Sequence, residues 1–106
     1  MNMEHVNHPK HYQKGGKECI QEMLEIYGPI AVICFCVLNW FKYDWRAGEK
    51  EGNPEDQDHS KGEWYLKFAV NQYLKLSKFR KFILRCFHRT TFSTVRHYAD
   101  NPNFMK

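Results

Sequence analysis

Asn39, Lys42, Tyr43 and Arg46 stand at i, i+3, i+4 and i+7 at the end of an otherwise apolar run. On a helix that spacing puts an amide, an amine, a phenol and a guanidinium on one face. Two cations gathered with two neutral polar tips suit an anionic ligand such as a phosphate. The plainer alternative is an exposed helix end whose cations pair with acids of the next helix. A second group, His8-Pro9-Lys10-His11-Tyr12, has proline fixing the local chain, so both imidazoles are aimed by a stiff arm. Such histidines suit hydrogen bonds to phosphate, acid–base work near neutral pH or metal ligation. Against this stands an arm that packs Tyr12 and leaves both rings in water.

The elements that would position these groups read as helices. Residues 1–16 are polar, with Pro9 and Gly15-Gly16, and predict an irregular N-terminal arm. From Lys17 the residues Cys19, Ile20, Met23, Leu24 and Tyr27 follow helical spacing until Gly28-Pro29. A second helix is predicted from about Ile30 to Ala47, with Gly48 as its stop and Arg46 and Lys50 near the negative end of its dipole. Asn53-Pro54-Glu55-Asp56 then combines an N-cap, a first-turn proline and first-turn acids. The third helix should reach about Leu76, with Asp56, His59, Ser60 and Glu63 as its polar line. A fourth segment, Lys78 to His88, places Phe79, Phe82, Ile83, Cys86 and Phe87 on one face, and the tail from Thr90 has room for one more short turn. No strand pairing is evident. The expected architecture is all-α: a small bundle of three to four helices, with an arm over 1–16, a helical core over 17–76 that carries the cationic face and a basic amphipathic helix and tail over 77–106.

Composition narrows the class. With 106 residues, 42% hydrophobic and 16% aromatic, the chain should fold as one domain. Its net charge of +4 is unevenly spread: residues 1–66 hold 7 Lys/Arg against 11 Asp/Glu, and residues 67–106 hold 9 against 1. The basic part, 78–89 above all, would offer a positive surface to nucleic acid or another protein, or lie on an anionic membrane. The simpler reading buries its aromatic face on the bundle and leaves its cations solvated. The apolar run from Ile30 to Phe41 is short of the roughly 20 residues that cross a bilayer, so no membrane span is expected. The start of the chain lacks a signal-peptide layout. Cys19, Cys34, Cys36 and Cys86 read as reduced core thiols of a cytosolic protein. No Cys-x-x-Cys pair occurs and Pro9 interrupts the His5, His8, His11 spacing, so no metal is expected.

Several separated motifs then occur in an order that resembles the SaV-like family of small phage proteins. They are His8-Pro9-Lys10-His11-Tyr12, Glu18-Cys19-Ile20, Asn39 with Lys42-Tyr43-x-x-Arg46-Ala47-Gly48-x-Lys50, and Asp56 with Lys61 and Tyr65-Leu66. Much of that family is a domain of unknown function; one class of members is a coliphage nucleotide kinase acting on deoxynucleoside monophosphates, notably dTMP and dGMP. The resemblance spans about residues 6–66 and implies a phage origin, a host-cytoplasmic location and a nucleotide site. It does not reach residues 67–106, so no catalytic group there carries over. Gly62 departs from the small helix-favouring residue expected at its position.

Conventional nucleotide kinases wrap phosphates in the backbone of a Gly-x-x-x-x-Gly-Lys-Ser/Thr loop, and this sequence has none. Side-chain cations must then do that work, which positioning and charge neutralisation allow. In this reading Lys42, Arg46 and Asp56 are the catalytic set. Arg46 makes bidentate phosphate contact, Lys42 and Lys50 act as point charges, and Asp56 holds Mg²⁺ or accepts a proton. His8, His11, Tyr12, Asn39, Tyr43, Lys50 and Lys61 bind the nucleotide, with Tyr43 or Tyr12 on base or sugar. The expected cofactors are ATP and Mg²⁺. Two alternatives stand beside this reading: an oligomeric protein that sequesters a nucleotide or defence signal without turnover, and a host-takeover protein whose basic helix over 78–89 contacts nucleic acid or a host protein. Self-association is expected in any of them, because short helices with this much aromatic surface need more burial than one chain offers.

Overall fold

A computed structural model describes residues 13–14, 17–47 and 55–105. A two-residue antiparallel ladder opens the described chain, with β1 (Gln13–Lys14) paired to β2 (Lys17–Glu18) in the register Gln13 to Glu18 and Lys14 to Lys17. Five helices follow among the described residues: α1 (Cys19–Tyr27), α2 (Pro29–Trp45), α3 (Glu55–Lys75), α4 (Lys78–Phe87) and α5 (Arg89–Ala99). The all-α expectation therefore holds, with one helix more than the three to four expected. The extra one is α5, where the sequence suggested a short turn. The small ladder was not expected either; two residues per strand are too few to show alternation.

Each junction has a local cause. Gly28 ends α1 with φ +87°, a conformation side chains disfavour, and its N–H donates to the Leu24 carbonyl at 3.0 Å. Pro29 then starts α2, where its missing N–H costs no helical bond. Ser77 caps α4, its hydroxyl accepting from the Arg80 N–H at 3.2 Å. Gly48, Asn53 and Pro54, the expected stop and start signals between α2 and α3, lie outside the described residues.

The core is built mainly where α2 lies along α3, with α5 closing one side. Val32, Ile33, Cys36 and Val37 of α2 meet a stripe of α3 formed by Leu66, Ala69, Val70 and Tyr73. Gly62 lies in this seam. A β-carbon there would sit 3.4 Å from the Trp40 carbonyl and 3.4 Å from Tyr43 Cβ, at the limit of ordinary contact. From α5, Val95 is fully buried, Phe92 meets Tyr73 edge-on and Tyr98 meets Trp40 edge-on. The C-terminal segment thus completes the same core.

Two expectations about packing are corrected. The aromatic face of α4 does not bury: Phe79, Phe82 and Phe87 are 70%, 58% and 73% exposed, and Leu84 is the side chain that packs. Leu84 lies about 140° round the wheel from the centre of the aromatic arc, so the helix turns its larger apolar face outward. Nor are all the thiols core residues. Cys36 is buried and Cys34 partly so, but Cys19 and Cys86 are exposed.

Candidate functional site

The last turns of α2 and the first turns of α3 bring Lys42, Tyr43, Arg46 and Lys61 together. Tyr43 is their common platform. The Arg46 guanidinium carbon lies 4.6 Å from its ring centroid, the Lys42 amine 5.2 Å and the Lys61 amine 5.9 Å. Each lies within cation–π range, so one electron-rich ring offsets part of the repulsion between three like charges. The ring is itself held by stacking on Tyr65, at 5.9 Å and 10° between planes. Tyr65 is fixed in turn by edge contacts with Phe35 and Trp64. The result is a ladder of rings, rooted in the α2–α3 seam, with cations at its outer end.

Beneath the cations lies a carboxylate. Asp58 is fully buried, and its Oδ1 is 3.8 Å from Arg46 Nε; the Arg46 side chain is one-third exposed. That separation makes an ion pair without a direct hydrogen bond, since it exceeds hydrogen-bond range. Arg46 Nε has no hydrogen-bond partner among the described residues. The C-terminal end of α2 adds its own negative potential near Arg46, whose N–H donates to the Lys42 carbonyl at 3.2 Å. Beside this group, Asp44 Oδ1 is 2.7 Å from His59 Nδ1 on the exposed side, a second tie between the two helices.

The sequence-derived set divides as follows. Lys42, Tyr43, Arg46 and Lys61 come together, and Asn39 is half-buried one turn earlier on α2. The backbone of Asp56 lies in the first turn of α3; its side chain, with His8, His11, Tyr12 and Lys50, lies outside the described residues. Asp58 and Tyr65 were not singled out for this role. Asp58 had a signal, since it stands in register with Gly62, Leu66, Ala69, Val70 and Tyr73, a carboxylate on what becomes the buried stripe of α3.

A groove of about 740 Å³ between α2 and α5 was also missed. Trp40 and Tyr98 line it together with Arg89, Thr90, Ser93 and His97. Among the described residues no group of three or more His, Cys, Asp or Glu is placed to hold a metal ion, and no helix is long and apolar enough to cross a membrane.

The family model described as a protein of unknown function (DUF3310) matches residues 6–67, more than half the chain. The match contains the whole cation–tyrosine group and ends within α3, leaving α4 and α5 beyond it. No curated protein and no solved structure matches the chain. With its matched span centred on the α2–α3 seam, the chain belongs to the DUF3310 family.

Proposed function

We propose that this is a phage nucleotide-binding protein whose leading specific activity is phosphoryl transfer to a deoxynucleoside monophosphate without a P-loop. One observation carries the reading: three cations lie within 4.6–5.9 Å of the centroid of a single braced tyrosine ring. Lys42 is exposed and Lys61 half-exposed, so both present charge to a phosphate while their ring partner limits their freedom. Arg46 supplies a planar cation whose Nε edge is turned toward Asp58. The motif series shared with the SaV-like phage proteins supports the nucleotide class.

The described side chains fit a phosphate better than they fit a metal. Asp58 is sealed behind Arg46, and Asp44 is bonded to His59, so neither offers Mg²⁺ an open carboxylate. A metal accompanying ATP is commonly held by the phosphates and water with one or two carboxylates. The same burial of Asp58 favours a second reading, in which the protein holds a nucleotide intact and turns nothing over.

Incubation of purified protein with ATP, Mg²⁺ and each deoxynucleoside monophosphate, followed by chromatography, tests the first reading. Diphosphate products from dTMP or dGMP support it. Their absence, with an intact nucleotide released from purified protein, assigns the second.

A further inference from the structure

The aromatic face of α4 is turned away from the bundle and rimmed by charge of one sign. Phe82, Cys86, Phe79, Ile83 and Phe87 follow one another round the helix over an arc of about 140°. The three phenylalanines are more than half exposed, and Cys86 is exposed with them. Lys78 and Arg85 border that arc on one side and Arg80 on the other. All three are exposed and form no ion pair among the described residues. Opposite the arc, Leu84 is fully buried and the Lys81 amine lies 5.0 Å from the Tyr73 ring centroid, which fixes the inner side of the helix. Residues 76–99 hold no Asp or Glu, and Asp100 lies 3.9 Å from Arg96.

An occupant of this face has to cover apolar rings and neutralise cations at the same time. Nucleic acid would answer the cations but leave the phenylalanines wet. A second α4 would cover the rings while bringing like-charged rims together. An acidic protein would have to bring its own apolar groove for three rings. An anionic bilayer meets both demands: its headgroups neutralise the rim at the level where the rings enter the acyl boundary. The shape agrees. α4 packs chiefly on α5, at the margin of the bundle, and so presents a ridge that a plane receives without a cleft. We propose that α4 is a membrane-surface helix, lying in the plane of an anionic lipid bilayer with its phenylalanine arc inserted and Leu84 holding it to the protein. The contact is peripheral: ten residues lie flat, and no described helix spans the bilayer.

Sedimentation of the full chain with vesicles tests this, using equal parts phosphatidylserine and phosphatidylcholine against phosphatidylcholine alone. The wild type should bind the mixed vesicles at least about tenfold more tightly, and added salt should weaken that binding. Phe79→Ser/Phe82→Ser should lower it by about a hundredfold or more. Lys78→Glu/Arg85→Glu should lower it by about tenfold or more. Circular dichroism checks both folds; an acid at a helix start favours folding, so the second variant serves if the first unfolds. Vesicles should also shield Cys86, in the middle of the arc, from a water-soluble maleimide. A wild type that ignores the mixed vesicles, folded variants that bind as the wild type does, or an unshielded Cys86 overturns the proposal. So does duplex DNA bound in place of vesicles, or a vesicle-indifferent dimer that Phe79→Ser/Phe82→Ser splits. No nucleotide enters these readouts, so they stand apart from the phosphate site.

Discussion

Asp58 is completely buried, and the Arg46 guanidinium lies across it with Nε 3.8 Å from Oδ1. Removing the guanidinium takes a neighbouring cation from this buried carboxylate, whereas replacing both partners removes the carboxylate as well. Arg46→Ala should therefore destabilise the fold by about 1–3 kcal/mol. Arg46→Met/Asp58→Leu should recover much of that loss. A double-mutant cycle from chemical denaturation reads the coupling; purely additive losses would show that the pair is incidental.

Gly62 faces Trp40 and Tyr43 across the α2–α3 seam. A β-carbon would touch Trp40 and Tyr43 at ordinary contact distance, and alanine favours helix over glycine by about 1 kcal/mol. Gly62→Ala should thus leave stability unchanged or raise it slightly in thermal melts. Gly62→Leu should lower it by about 1–3 kcal/mol, because the added atoms drive the helices apart. A leucine variant as stable as wild type would contradict the seam as described.

Leu84 and Leu38 offer a matched comparison on different helices. Leu84 is fully buried and Leu38 is 66% exposed. Leu84→Ala should cost about 2–5 kcal/mol and loosen α4 from α5. Leu38→Ala should stay within about 0.5 kcal/mol. Equal effects in urea titrations would place α4 differently from the packing described here.

Burial pushes the Cys36 thiol up to about 12 from 9.0, and it raises Cys34 as well, opposed in part by a hydrogen bond with Thr91. Near pH 8, iodoacetamide should label the exposed Cys19 and Cys86 while Cys36 stays unmodified until the protein unfolds. The folded state holds the Cys36 proton more tightly than the unfolded state. Its contribution to stability is therefore full below about pH 9 and falls as pH rises toward 12. Peptide mapping by mass spectrometry checks the labelling, and rapid native-state alkylation of Cys36 would contradict its burial.

Much of this architecture is legible in the residues. Helical spacing from Cys19 to Tyr27, and Gly28-Pro29 as its end, correspond to α1 and its stop, because local propensity and core packing agree there. That Lys42, Tyr43 and Arg46 share a face was readable from their spacing, whereas Lys61 came only with the family resemblance and Asn39 stands a turn apart from the group. Which acid lay near them was not readable, because a helix wheel for α3 cannot say which stripe meets α2. Amphipathicity misled at α4: its spacing marks an apolar face but does not say whether this chain or something else covers it. The helix over Arg89–Ala99 was underestimated because β-branched threonines weaken its propensity, and contacts of Val95, Phe92 and Tyr98 override that.

Nucleotide titration against Lys42→Ala/Lys61→Ala tests the central claim most directly, because both amines lie outside the buried pair and their loss should leave the fold intact. Melting temperatures with nucleoside mono-, di- and triphosphates should rise for wild type, and the rise should grow with ligand concentration. Charge-assisted contacts of about 1.5–3 kcal/mol each imply that the double variant binds at least about a hundredfold more weakly. A wild-type protein that no nucleotide stabilises, or a double variant stabilised as strongly as wild type, would contradict a phosphate site on Tyr43 and its three cations.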